Sequence, residues 1–229
     1  MPSQGITRKR PVQRMNSVHR RLEIVNAAFD CIAATGHLST STTELAYKVG
    51  ISQPAIFRHF RSKQQLHQAI LDEANQRVIE ELKRNISNSE SWNSPLVLLR
   101  QIIIQMGESF KREPGVWLTL ICQRSIAAEA EMLDEQSGIS GNKDAIEQLS
   151  YALERLGNAA IDNKQVQQDT RAADLSKTCL AVLIGMGQLW LNGGCEFDLS
   201  ERLDFAVRGI IAGYKSTEGE IDVPMSAIA

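Results

Sequence analysis

Apolar residues recur along this 229-residue chain at three- and four-residue spacing, and almost nowhere at the alternating spacing of strands. Leu22, Val25, Phe29 and Ile32 form one such row; Leu96, Leu99, Ile103, Met106 and Phe110 form another. Side chains three and four apart share one face of an α-helix, so these rows predict amphipathic helices and an all-α fold. The first helix is predicted from about Ser17 to Thr35, ended by Gly36 as the left-handed residue. "STTE" (41–44) and "SKQQ" (62–65) read as capping boxes, in which a serine caps the helix and Glu44 or Gln65 reaches back. Ser94-Pro95, Pro114, Asp169, and Asp198 with Glu201 mark further helix starts. Two long helices close the pattern, at about 170–192 and 199–215. Residues 88–94, 135–142 and the polar tail 216–229 read as loops.

Composition adds that 43% hydrophobic content is enough to bury a core or two. The longest apolar stretch, 180–191, is interrupted by Gly and Gln and falls short of the roughly 20 residues of a membrane span. The N-terminus is polar and basic, so neither a signal peptide nor an anchor is expected and the chain is placed in the cytoplasm. Cys31, Cys122, Cys179 and Cys195 stand apart in apolar sequence without a paired cysteine, which reads as buried reduced thiols.

Charge changes the picture more. Residues 1–70 carry ten Lys or Arg against three acids, a balance of +7, whereas the remainder carries fifteen against twenty-four, a balance of −9. A basic head on an acidic body favours a polyanionic partner at one end only. The arm 1–16 holds Arg8, Lys9, Arg10 and Arg14 with no acid. It is too polar to fold alone, and either tracks DNA or is an extension without that role.

With Thr42 as the first position, Leu45, Ala46, Val49, Gly50, Ile51 and Ile56 fall at positions 4, 5, 8, 9, 10 and 15. This is the spacing of a helix-turn-helix. Ala46 is small where the second helix crosses, Gly50 permits a positive φ, and Leu45, Val49, Ile51, Ile56 and Phe60 face inward. Ser52 is expected to cap the second helix, with Pro54 in its first turn. Gln53, Pro54, Ala55, Phe57, Arg58 and His59 remain outward. Such a set suits the DNA major groove, where Gln pairs with adenine and small apolar atoms meet the thymine methyl.

At these residues the chain resembles the DNA-binding domain of TetR-family transcriptional regulators, from "IVNAAFDCIAATG" through "QPAIFRH" to "FRSKQQLHQAIL". The resemblance implies that Gln53, Pro54 and Ala55 meet base edges, that Thr42, His59 and Lys63 meet phosphates, and that Thr43 lies near a base. Phe57 departs from the family's usual tyrosine and lacks its hydroxyl; Arg58 is expected to supply charge or read a guanine there, and Phe57 either faces DNA or packs on the first helix.

The resemblance further implies an N-terminal three-helix domain (17–71) and a larger helical body (72–215) for ligand binding and dimerisation. Ala181, Gly185, Gly187, Ala206, Gly209 and Gly213 are small at spacings that allow close helix approach, between subunits or within one. Met106, Phe110, Trp117, Leu120, Ile121, Ile184, Gln188 and Trp190 are candidates to line a cavity, with Gln123 and Arg124 as polar anchors, although such a stripe also describes plain core. "SFKREPGVW" (109–117) reads as a helix break in the cavity wall. No catalytic set, phosphate-binding glycine loop or metal-ligand cluster is visible, so neither an enzyme, a metal nor a cofactor is expected. The expected function is a homodimeric repressor on a palindromic DNA operator, released by a small-molecule effector. The alternative is a DNA-bound interaction protein similar to the family's nucleoid-occlusion members. A closed cavity would favour the first; a filled core with an exposed groove between the lower helices would favour the second.

Overall fold

A computed structural model describes residues 17–36, 41–87, 94–131 and 144–215, and the side chains of all of these except 123–131. Among them every regular element is an α-helix: α1 Ser17–Thr35, α2 Thr42–Val49, α3 Gln53–His59, α4 Lys63–Ser87, α5 Pro95–Arg112, α6 Pro114–Glu131, α7 Ala145–Asp162, α8 Ala172–Asn192 and α9 Leu199–Tyr214. The all-α expectation holds. The arm 1–16, the loops at 88–93 and 135–142 and the tail from Ser216 lie outside the described residues.

Local chemistry sets the head. Gly36 ends α1 at φ 70°, its N–H bonded to the Ile32 carbonyl at 2.8 Å. Ser41 caps α2 by accepting the Thr43 N–H at 3.3 Å, while Glu44 stays exposed. Gly50 takes φ 71°, and the Ile51 N–H turns back to the Ala46 carbonyl at 2.9 Å. This left-handed closure is what a β-carbon would resist. Ser52 departs from expectation: it holds the cap position, yet its hydroxyl makes no cap bond. The Ala55 N–H bonds instead to the Ser52 carbonyl at 2.8 Å. At α4 the capping pair forms, Ser62 accepting the Gln65 N–H at 3.0 Å and Gln65 accepting the Arg61 N–H. Ile24, Ala28, Ile32, Leu45, Ala46, Ile56, Phe60 and Leu66 are the shared core of these helices.

The boundary expected at 71/72 falls within α4, whose 25 residues extend about 37 Å at the usual helical rise. One continuous helix therefore belongs to head and body alike. In the body α5 packs on α9, α7 on α8, and α8 on α9, while α6 returns to α1. Asp198 caps α9 through the Ser200 and Glu201 N–H groups, at 2.9 and 3.2 Å. Helix α8 begins at Ala172 with Arg171 before it. Asp169 sits in the preceding turn, which the Thr170 N–H closes on the Gln167 carbonyl.

Cys31 and Cys179 are buried, and burial pushes the Cys179 thiol up to about 12. Cys122 is half-buried. Cys195 is exposed, contrary to expectation, because it occupies the turn between α8 and α9 at φ 64°. Among the described residues no helix is long and apolar enough to cross a membrane.

Candidate nucleic-acid interface

Helix α3 presents its first turn outward: Gln53 and Pro54 are exposed, Ala55 is half-buried, and Ile56 behind them is fully buried. Arg58 is exposed and His59 half-buried in its last turn. The Phe57 ring is 41% exposed, so burial against α1 does not account for it. Thr42 and Thr43 open α2, and Lys63 opens α4, so its charge stands at the N-terminus of that helix. The structure joins two of these residues directly. The Gln53 Nε2 donates to the Thr42 hydroxyl oxygen at 2.8 Å, tying the first residue of α3 to the first of α2. His67, one turn into α4, has its pKa lowered by burial and then by the neighbouring Lys63 charge. Both causes favour its neutral form.

Arg21, which the sequence shows only as charge, ties α1 to the end of α3. Its guanidinium donates to the His59 carbonyl and lies 4.4 Å from the centroid of the Phe60 ring. A cation at a helix C-terminus offsets the partial negative charge of the last carbonyls. Arg77 does comparable work between head and body. It donates to Glu73 at 2.8 Å, to Glu113 at 2.6 Å and to Asn26, and lies 5.0 Å over Phe29. Burial acts against its charge, but the hydrogen bonds it donates to Glu73 and Glu113 outweigh that and raise its pKa. Asn26 and Phe29 belong to α1, and Glu113 to the break between α5 and α6, so one side chain joins three parts of the fold.

In the body, Met106, Phe110 and Trp117 are 0% exposed and Leu120 is buried. The Phe110 and Trp117 rings stack with centroids 5.5 Å apart, and the Trp117 indole donates to Ser109 at 3.3 Å. Ile121, Ile184, Gln188 and Trp190 are half-buried; the side chains of Gln123 and Arg124 lie outside the description. Gly187 is flat against this cluster, since a β-carbon there would lie 2.4 Å from the Phe110 ring. It is a packing glycine within the subunit. Gly185, Gly209 and Gly213 differ, each facing open space, and Ala181 is exposed beside them. Leu189 and Phe205, 62% and 71% exposed, lie on the same outward faces of α8 and α9.

Two open recesses lie between the described helices, and neither of these two is lined by the cavity candidates. One, of about 600 Å³, lies between α1, α4 and the α5–α6 break; Phe29, Ala33, Ala34, Pro114 and Val116 give it an apolar floor, with Asn26, Asp30, Arg77, Arg112 and Glu113 around it. The other, of about 580 Å³, runs between Leu96, Val97 and Arg100 of α5 and Arg208, Ile211 and Ala212 of α9.

Residues 24–70 match the family model of bacterial regulatory proteins of the tetR family. The nucleoid occlusion factor SlmA of Cronobacter sakazakii is 26% identical over 195 residues, spanning 83% of this chain and 91% of that protein. SlmA of Vibrio atlanticus is 24% identical over 175 residues, 76% of this chain and 83% of that one. A TetR-like transcriptional regulator from Rhodococcus sp. RHA1 superposes with a TM-score of 0.65 at 16% identity, covering 87% of this chain and 98% of its own. Residues 24–70 thus match the helix-turn-helix domain of the tetR family, and the described helices as a whole have the fold of TetR-like regulators.

Proposed function

We propose that this protein works in the cytoplasm as a homodimer that grips a two-fold symmetric DNA site and, while bound, docks a protein of the cell-division machinery, as a nucleoid occlusion factor. The observation that carries the docking is the close packing of the described body around Phe110 and Trp117. Where a metabolite would need space, Phe110 and Trp117 stack against the bare backbone of Gly187, and the accessible recess lies lower, between head and body. The similarity to nucleoid occlusion factors, which runs through most of the body, supports the same reading. The recess suits a short protein segment with an apolar anchor and a carboxylate, since Phe29 and Val116 floor it and Arg112 is 54% exposed at its rim.

Dimerisation is proposed through α8 and α9, because Leu189 and Phe205 otherwise leave large apolar groups in water around glycines that have room for a partner helix. One α3 reads few base pairs; two placed about 34 Å apart read a palindrome. A β-carbon at Gly209 would meet no atom of the rest of the subunit within 4 Å, so Gly209→Phe is expected to leave the fold intact and weaken self-association by about 1–3 kcal/mol through overpacking. Sedimentation equilibrium checks this; an unchanged dimer constant places the interface elsewhere.

A repressor released by a small molecule is the second reading. It is favoured by the tight seam of α6 on α1, which would pass a movement of the body to the head. Raised expression of the chain in a bacterial host separates the two. Nucleoid occlusion predicts filamentous cells, and Ala34→Trp, which fills the recess, restores division at unchanged DNA affinity. Normal division with altered transcription of a few neighbouring genes would instead favour the repressor.

A further inference from the structure

We propose that Thr42 positions Gln53 for base reading, so that one hydroxyl sets sequence preference as well as grip; this deepens, and rests on, the reading of α3 as the recognition helix. Gln53 is exposed and opens α3. A free glutamine side chain of this kind spreads over many rotamers, and fixing it on binding costs conformational entropy. Here the Nε2 is already held by the Thr42 Oγ1 at 2.8 Å, across eleven residues of sequence. Thr42 is a firm anchor. It is β-branched, which restricts its χ1, and half-buried, and it starts a helix whose first turn is capped by Ser41.

The hydrogen-bond inventory then decides what is left to read with. An amide has two N–H donors and one oxygen acceptor. Thr42 takes one donor, leaving one N–H and the carbonyl oxygen. That donor–acceptor pair matches N7 and the N6 amino group of adenine in the major groove. In accepting from Gln53, Thr42 keeps its own hydroxyl hydrogen, which is free to donate to a phosphate. The same oxygen therefore links a backbone contact to a base contact, and base preference depends on a residue that touches no base.

The test compares the full-length chain with Thr42→Val, Thr42→Ser and Gln53→Ala by selection from a random duplex library, followed by affinity measurements on the best site and on its single-base variants. Thr42→Val keeps the shape and removes the hydroxyl. It is expected to flatten the preference at the one base position per half-site that Gln53→Ala also flattens, by roughly tenfold. Thr42→Ser, which keeps the oxygen, restores that preference. A uniform loss of affinity with base ratios unchanged in Thr42→Val would overturn the proposal and leave Thr42 a phosphate contact. Tighter binding by Thr42→Val would overturn it too, showing that the bond must break on binding. If Gln53→Ala alters no base preference, the assignment of α3 as the reading helix fails together with the role of Thr42. Thermal unfolding of each variant confirms that a folded head is being compared.

Discussion

Replacing Gly115 by alanine should loosen the packing of the head on the body. A β-carbon at this position would lie 2.0 Å from the Phe29 carbonyl oxygen, 2.6 Å from its carbon and 2.9 Å from its Cα. All three are backbone atoms of α1, so no rotamer change relieves the clash; one of the two helices must move. The expected cost is about 3 kcal/mol or more, at or above the top of the usual overpacking range, because a whole helix is displaced. Against a total stability of about 5–15 kcal/mol, that is a large share. Denaturant unfolding of Gly115→Ala should show a much lower midpoint, and limited proteolysis should release the head as a fragment. A midpoint equal to that of the wild type would show that α6 does not hold α1 as described.

Phe110→Ala should cost about as much, roughly 3–5 kcal/mol for an aromatic removed from a packed core. The ring is 0% exposed, stacked on Trp117 and pressed on Gly187. None of these surfaces can close the gap without moving α5, α6 or α8. The size of the loss also discriminates between functions. A side chain facing a ligand cavity already borders empty space, so its truncation costs little; one in a filled body costs the full amount. Chemical unfolding followed by tryptophan emission measures this. A loss below about 1 kcal/mol would point back to a cavity at this place and to the small-molecule effector.

Much of the head was legible because its signals are local. Gly36, Gly50, Ser41 and the Ser62–Gln65 pair each act within a few residues, and the helix-turn-helix spacing packs several steric requirements into fifteen positions. Ser52 was misread because the residue type and position of a cap do not fix where its hydroxyl points. Arg21 and Arg77 could not be read at all. Their partners lie 38, 36 and 51 residues away in sequence, and a basic residue on a helix looks the same whether it is solvated or clamps a neighbouring helix. The body posed a different problem. A row of Met106, Phe110, Trp117 and Leu120 has helical spacing whether it lines a cavity or fills it, and only the close fit of Phe110 on Gly187 distinguishes the two. The same distinction separates Gly187, which packs inward, from Gly185, Gly209 and Gly213, which look out.

Helix α3 is proposed to read bases while the start of α4 grips the DNA backbone, and one paired titration tests this division. Gln53→Ala and Lys63→Ala are measured against the selected site, a scrambled duplex and a series of salt concentrations. Gln53→Ala is predicted to lose about 1–3 kcal/mol on the selected site and to relax preference at one position per half-site. Lys63→Ala is predicted to weaken binding to both duplexes about equally and to lower the salt slope by about one unit per subunit. A uniform loss for Gln53→Ala together with a changed base preference for Lys63→Ala would contradict the account, because a different face of the head would then lie in the groove.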